Sequence, residues 1–119
     1  MAQDRPTASE LLSAIADFLR EEAMPALDRA EPRLGFQMRV AVNSLAILER
    51  ESRLGRAADA REQARLVALL GRDGTLAELT RELARQLRAG ERDERDDALM
   101  AHLEATTGDK IAIANPKWR

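Results

Sequence analysis

The stretch P-R-L-G-F-Q-M-R-V-A-V-N-S-L-A-I-L-E-R-E-S-R-L-G, residues 32–55, decides the fold class. Its apolar residues recur every three or four positions, which is the spacing of one face of an α-helix. Pro32 suits the first turn of a helix, and Gly55 is a typical residue at a helix end. The main apolar positions are Leu34, Met38, Ala41, Val42, Leu45 and Leu48, widened by Val40 and Ile47. Because this helix is the most apolar of the chain, we expect it at the centre of a bundle.

A first helix is predicted before this stretch. The capping box T-A-S-E at Thr7–Glu10 starts it, because the Thr oxygen and the Glu carboxylate each accept from a free backbone N–H. Pro25 stops or kinks it, since proline lacks the donor and clashes with the preceding turn. Residues 26–31 are then expected to form a short connection.

Three further helices are predicted after Gly55. The third runs from about residue 57 to 70 and closes at Gly71, and the fourth runs from a second capping box, T-L-A-E at Thr75–Glu78, to Gly90. The fifth begins after the charged run at residues 91–97. Gly108 interrupts its pattern, and Asn115-Pro116 ends it. The result is an all-α, single-domain bundle over residues 1–119, with about five helices and short, mostly antiparallel connections. Residues 1–6 are expected to be a flexible N-terminus and residues 114–119 a C-terminal tail.

Composition supports this class and excludes several functions. Apolar residues make up 45% of the chain and charged residues 34%, which is typical of a globular protein. A net charge of -2 gives no broad attraction to nucleic acid or to anionic lipid. Without cysteine the chain has no disulfides and no thiolate sites. It shows neither a signal peptide nor a membrane-spanning run, so we expect a cytoplasmic protein with no membrane partner.

No catalytic, metal or cofactor motif emerges from the sequence. The one histidine, His102, lies between Leu99 and Leu103 on the fifth helix, and a surface or rim position is the favoured interpretation. It lacks the Glu-x-x-His spacing of helical metal sites. The loop G-R-D-G-T at residues 71–75 lacks the lysine and the length of a phosphate-binding loop. We therefore expect no cofactor, and the balance favours a protein that is not an enzyme.

One polar cluster is a candidate site. Arg39, Asn43 and Arg50 follow nearly one line along the second predicted helix, among apolar residues. Polar groups in such a setting need partners, because each one left buried and unpaired costs about 1–3 kcal/mol. Possible partners lie near the end of the chain: Asp109, Lys110 and Asn115. Either the set is a structural network that ties the last helix to the central one, or Arg39 and Lys110 line a pocket for an anion or carboxylate.

The C-terminal tail is a second candidate. Asn115 begins the sequence N-P-K-W-R, and Trp118 is the only tryptophan of the chain. An exposed aromatic ring at a terminus can anchor a protein partner. Folding back onto the bundle is the favoured alternative, because it would bury a large apolar ring.

Three segments resemble a known family. They are R-P-T-A-S-E-L-L at Arg5–Leu12, R-V-A-V-N-S-L-A-I-L-E-R-E at Arg39–Glu51 and D-K-I-A-I-A-N-P-K-W at Asp109–Trp118. Together they are similar to a family of short bacterial helical proteins described only as a domain of unknown function. The resemblance covers nearly the whole chain. It implies genes for aminoglycoside-phosphotransferase-like kinases and acyl-CoA dehydrogenases nearby, and hence an accessory role to a kinase-like or acyl-CoA enzyme.

Three functions stay open at this point. The preferred one is a non-catalytic module that binds a protein partner or associates with itself. The alternative is a binder of, or an enzyme acting on, an acyl or phosphate-bearing small molecule, using Arg39, Asn43, Asp109 and Lys110. The least favoured is a nucleic-acid-binding regulator, whose only support is a set of arginines on the third and fourth helices: Arg61, Arg65, Arg81, Arg85 and Arg88.

Overall fold

The computed structural model of the chain describes residues 5–118. Five α-helices lie in this range: α1 (Ala8–Phe18), α2 (Met24–Ala30), α3 (Pro32–Leu70), α4 (Leu76–Arg88) and α5 (Asp97–Ala114). A π-helical turn at Leu19–Ala23 joins α1 to α2, so these three form one helical segment. No strand occurs between residues 5 and 118, and the predicted all-α single-domain class is confirmed. The start of the N-terminus that we expected to be flexible, residues 1–4, lies outside the described range.

Both predicted capping boxes start helices. The Thr7 hydroxyl accepts from the Glu10 N–H at 3.1 Å, and the Glu10 carboxylate accepts from the Thr7 N–H at 3.0 Å. The hydroxyl of Thr75 and the carboxylate of Glu78 repeat this arrangement at the start of α4. Each box satisfies two backbone donors that a helix start leaves without partners.

Pro25 interrupts the regular α-helix, as predicted, but the chain stays helical there. The turn before it is π-helical, and the Met24 N–H donates to the Leu19 carbonyl, five residues back. This wider turn occurs where the Pro25 ring would meet the Glu21 carbonyl in a regular α-helix. Pro25 then lies in the first turn of α2, which continues to Ala30. The prediction of a non-helical connection over residues 26–31 is therefore wrong.

The predicted helix end at Gly55 is also wrong, because α3 runs unbroken for 39 residues. Gly71 and Gly90, with φ of 67° and 70°, do adopt the left-handed conformation that ends a helix. Gly55 does not, and it lies buried inside α3. A single glycine costs a helix only about 1 kcal/mol relative to alanine. The good helix formers that follow it outweigh this cost. Gly108 likewise lies within α5 without interrupting it.

The chain comprises two compact units. The first contains residues 5–54 together with Ile113–Asn115. Within it, α1 and α3 run antiparallel, because the Ser9 hydroxyl near the start of α1 donates to Glu49 at 3.0 Å while Asp28 of α2 pairs with Arg39. Among the described residues of this unit, only two apolar side chains are buried: Ala16 and Val42, each 5% exposed.

The second unit contains Gly55–Ala112 and residues 116–118, and it holds the hydrophobic core cluster. Leucines from the C-terminal half of α3, from α4 and from α5 form this cluster: Leu66, Leu79, Leu83 and Leu99. The prediction that the most apolar stretch, residues 32–54, forms the centre of the bundle is therefore wrong. Three of its large side chains, Leu34, Val40 and Leu48, are 41–54% exposed.

Candidate functional site

Arg39, the first residue of the predicted polar cluster, pairs within its own unit. Its guanidinium forms an ion pair with the carboxylate of Asp28 on α2. The two helices are close at this point, because a Cβ added to Gly35 would lie 1.9 Å from the Asp28 Oδ1 atom. Sequence reasoning did not find Asp28, since it lies in the stretch that was predicted to be a loop.

Arg50 contacts the last helix at a backbone carbonyl, not at Asp109, Lys110 or Asn115, the partners suggested from the sequence. Its Nε donates to the carbonyl of Ile113 at 2.6 Å. This carbonyl belongs to the last turn of α5, where carbonyls lack intrahelical donors. Arg50 therefore acts as a side-chain cap of that helix end.

The remaining residues of the cluster have other surroundings. Asp109 forms an ion pair with Arg61 at 3.1 Å within the second unit. Asn43, Lys110 and Asn115 are exposed. A pocket lined jointly by Arg39, Asn43, Asp109 and Lys110 stays a prediction.

His102 was predicted at the surface or rim, and this is wrong. It is 5% exposed, and its Nδ1 accepts from the Nε of Arg65 at 3.3 Å. The other end of the Arg65 guanidinium donates to the Thr106 hydroxyl at 3.0 Å. Because Nδ1 accepts, the proton of the neutral ring lies on Nε2. One signal in the sequence could have found this position, since His102 follows the buried Leu99 by three residues and so shares its side of α5.

The surroundings of His102 keep it neutral. Burial lowers the pKa of the imidazole because the charged form loses its hydration, and the positive charge of Arg65 lowers it further. The negative charge of Glu62 opposes both effects without cancelling them. This group is therefore a hydrogen-bonded part of the second unit at neutral pH.

The ring of Trp118 is 65% exposed, so the prediction that it folds back and becomes buried is wrong. It borders an open cavity of about 330 Å³. Residues in the C-terminal half of α5 and in the tail complete the lining: Gly108, Ile111, Ala112 and Pro116. Asn115, the other tail residue proposed to bind a partner, begins this tail.

Most arginines that could have formed a basic face have partners. Besides Arg61 and Arg65, Arg85 pairs with Glu82 at 2.8 Å and with Glu91 at 2.7 Å. Arg85 lowers the pKa of Glu82 through its hydrogen bonds. Two arginines of the five-arginine face, Arg61 and Arg85, are thus neutralised by carboxylates within the second unit.

The first unit carries an uncharged face on α3. The charged residues of α3 up to residue 54 all lie on its other sides: Arg33, Arg39, Glu49, Arg50, Glu51 and Arg53. The remaining side holds Leu34, Gln37, Ala41, Ser44, Leu45, Leu48 and Ser52. In a chain in which 34% of residues are charged, an exposed side of a helix without charge over five turns is unexpected.

The first helix extends this surface. Leu11, Ile15 and Phe18 form an exposed stripe on α1, at 42%, 49% and 60% exposure. When the antiparallel helices are projected with Ala16 and Val42 facing each other, this stripe and the uncharged side of α3 fall on the same side. We call the combined surface, centred on Leu11, Ile15, Phe18, Leu34, Ala41 and Leu48, the uncharged face.

The comparison with known families is consistent with the resemblance noted in the sequence. The model of a family described as "Domain of unknown function (DUF6285)" matches residues 25–118. The chain belongs to the DUF6285 family. No curated protein and no solved structure matches the chain.

The DUF6285 match covers α2 to the C-terminal tail. Two of the three segments that carry the resemblance, Arg39–Glu51 and Asp109–Trp118, lie inside it, whereas Arg5–Leu12 lies outside. The α3 part of the uncharged face is therefore a feature of the matched region. Within the described part of this DUF6285 member, no helix is long and apolar enough to cross a membrane.

Proposed function

We propose that this DUF6285 member is a non-catalytic interaction module that binds a protein through the uncharged face of its first unit. One observation carries the proposal: the most apolar segment of the chain leaves Leu34 and Leu48 in contact with solvent. The largest apolar patch on a soluble monomer is typically about 300–600 Å² and is often functional.

The packing of the first unit explains why a partner is needed. A helix that is apolar on most sides requires cover on most sides, and α1 and α2 cover only the side of α3 that includes Gly35 and Val42. Binding of a protein there would remove this apolar surface from water, at about 25 cal/mol for each Å².

The resemblance favours a particular kind of partner. It implies that the partner is a kinase-like or acyl-CoA enzyme, for which this chain would be an accessory protein in the cytoplasm of a bacterium. The exposed Trp118 tail would offer such an enzyme a contact.

The experiment is affinity purification of tagged variants from the native host, read by mass spectrometry. Leu48→Lys places a charge in the uncharged face at a position that is 53% exposed, so it leaves the fold intact. Met100→Lys, at 43% exposure on α5, is the matched control. We expect a stoichiometric protein with the wild type and with Met100→Lys, and its loss with Leu48→Lys. Retention of the protein by Leu48→Lys would overturn the proposal, and so would a wild type that neither retains a protein nor associates with itself.

The alternative of small-molecule binding at Arg39, Asn43, Asp109 and Lys110 stays a prediction. It requires Arg39 to leave Asp28 and Asp109 to leave Arg61, or a ligand that binds beside both pairs. A thermal-shift screen of acyl-CoAs and phosphorylated metabolites tests it directly. The ligand should raise the melting temperature of the wild type and leave that of Arg39→Ala unchanged.

A further inference from the structure

We infer that the uncharged face pairs with the same face of a second copy, so that two α3 helices lie antiparallel across a two-fold axis at Ala41. This inference rests on the proposed function, because it names the protein that covers the face. It also specifies which residues of the two copies meet.

Two leucines of α3 are placed symmetrically about Ala41. Leu34 and Leu48 flank it at seven residues on either side, and Gln37 and Leu45 flank it at four. A seven-residue spacing of apolar positions is the spacing at which two helices pack side by side. In an antiparallel pair centred on Ala41, Leu34 of one copy lies against Leu48 of the partner subunit. The alanine at the axis has a small side chain, which lets the two backbones approach closely.

Two charges at the edge of the face complement each other across the same axis. Arg33 and Glu51 are 18 residues apart, which is five full turns, so both lie along the same edge of α3. Both are exposed, and neither has an ion-pair partner within the described chain. Their midpoint is position 42, one residue from Ala41. Antiparallel pairing therefore brings Arg33 of each copy to Glu51 of the partner subunit.

The size of the face suits a second copy. Its five large side chains, each 41–60% exposed, together present on the order of 500 Å² of apolar surface. They are Leu11, Ile15, Phe18, Leu34 and Leu48. A standard interface buries about 800 Å² on each partner, of which roughly 60% is apolar. An isologous pair, in which each copy offers the same patch, is also the commonest form of oligomer.

One polar residue of the face, Ser44, has its hydroxyl satisfied within its own copy. The Ser44 hydroxyl donates to the carbonyl of Val40 in its own helix at 3.0 Å. Burial of Ser44 therefore leaves no hydroxyl donor unpaired. Since no charged residue lies within the face, the approach of a second copy brings no like charges together there.

Sedimentation equilibrium on the purified full chain tests the pairing. We expect a dimer for the wild type and for Met100→Lys, and a monomer for Leu48→Lys. We expect Arg33→Glu and Glu51→Arg each to raise the dimer dissociation constant about tenfold, and the double variant to return it to within about twofold of the wild type. The inference is overturned if the wild type is still monomeric at 100-fold above the concentration used for purification. It is also overturned if the dimer dissociation constant of the double variant is no lower than that of either single variant.

A cysteine reporter tests the position of the axis independently, because the chain contains no cysteine. Oxidation should join two copies of Ala41→Cys, since a residue at the axis brings its own Cα within disulfide range of the partner's. Ala57→Cys, which is also exposed on α3, should stay uncrosslinked. Equal crosslinking of the two variants contradicts the predicted axis.

The two proposals fail in different ways. A monomer in sedimentation, together with a different protein that Leu48→Lys no longer retains, overturns self-pairing and leaves the interaction module standing. A monomer that retains no protein overturns both.

Discussion

Alanine substitution at two helical glycines should have opposite effects, and the difference measures how tightly α2 packs on α3. Gly35 lies in the first turns of α3 and Gly108 lies in the middle of α5. Both substitutions gain about 1 kcal/mol of helix propensity. At Gly108 nothing lies within 4 Å of the added Cβ, so we expect stabilisation by up to about 1 kcal/mol.

At Gly35 the added Cβ meets α2. It would lie 1.9 Å from the Asp28 Oδ1 atom and 3.1 Å from the Asp28 Cα atom. The Asp28 side chain can rotate away, but it then loses its ion pair with Arg39. An ion pair at this exposure contributes at most about 1 kcal/mol to stability. The Cα atom can move only with α2, and such overpacking costs about 1–3 kcal/mol. We expect a net destabilisation of about 1–2 kcal/mol.

Urea denaturation followed by far-UV circular dichroism measures both variants. The account predicts that Gly108→Ala is more stable than Gly35→Ala by about 2–3 kcal/mol, with similar dependence of unfolding on urea. If Gly35→Ala is as stable as Gly108→Ala, the close approach of α2 and α3 described above is refuted.

Three further predictions concern the second unit. Because the folded-state pKa of His102 is lowered, unfolding takes up a proton as the pH falls below about 6.5, so stability should decrease from pH 7.5 to pH 5.5. In His102→Gln this decrease should be smaller in the same urea titrations, and an unchanged pH profile would contradict the argument. Arg65→Leu should lower the free energy of unfolding by about 1–3 kcal/mol, because it leaves the His102 Nδ1 unpaired. The control Arg81→Leu removes no hydrogen bond to a buried group and should lower it by less than about 0.5 kcal/mol. Thr75→Ala should lower the free energy of unfolding by about 1 kcal/mol, because it removes the side-chain cap of α4. The control Thr80→Ala, within the same helix, should lower it by only a few tenths of a kcal/mol. Equal losses in the two variants would show that the cap contributes nothing.

The fold class and the helix starts could be predicted because they rest on local chemistry. The capping boxes at Thr7 and Thr75 act within four residues, and left-handed glycines such as Gly71 end a helix without help from distant parts of the chain. The same local signal failed at Gly55. Glycine permits a helix end but does not require one, and the residues that follow decide which occurs.

The buried positions were harder to predict, because periodicity identifies an apolar face but not what covers it. Leu34 and Leu48 have the spacing of a core, yet they are 41% and 53% exposed. His102 has the chemistry of a surface residue, yet it shares a side of α5 with the buried Leu99. In both cases the outcome depends on tertiary contacts rather than on local sequence.

The candidate site was found only in part for a related reason. Sequence reasoning singled out Arg50 as a polar residue in an apolar helix that needs a partner, but it did not find the Ile113 carbonyl to which Arg50 donates. It could not choose among acidic partners, and it missed Asp28 for Arg39 and Arg61 for Asp109. Ion-pair partners are set by the packing of helices, which the spacing of charges along one helix does not contain.

The most direct test of the central claim is the accessibility of the uncharged face in living host cells. Ala41→Cys and Ala57→Cys each place a single thiol on an exposed position of α3. If a protein covers the uncharged face, N-ethylmaleimide should label the Ala41→Cys thiol at least about tenfold more slowly than the Ala57→Cys thiol, because a buried thiol meets the reagent only when the complex opens. Adding Leu48→Lys should remove the difference. Equal labelling rates of the two thiols without that change would mean that the face stays open to solvent, and the account would be contradicted.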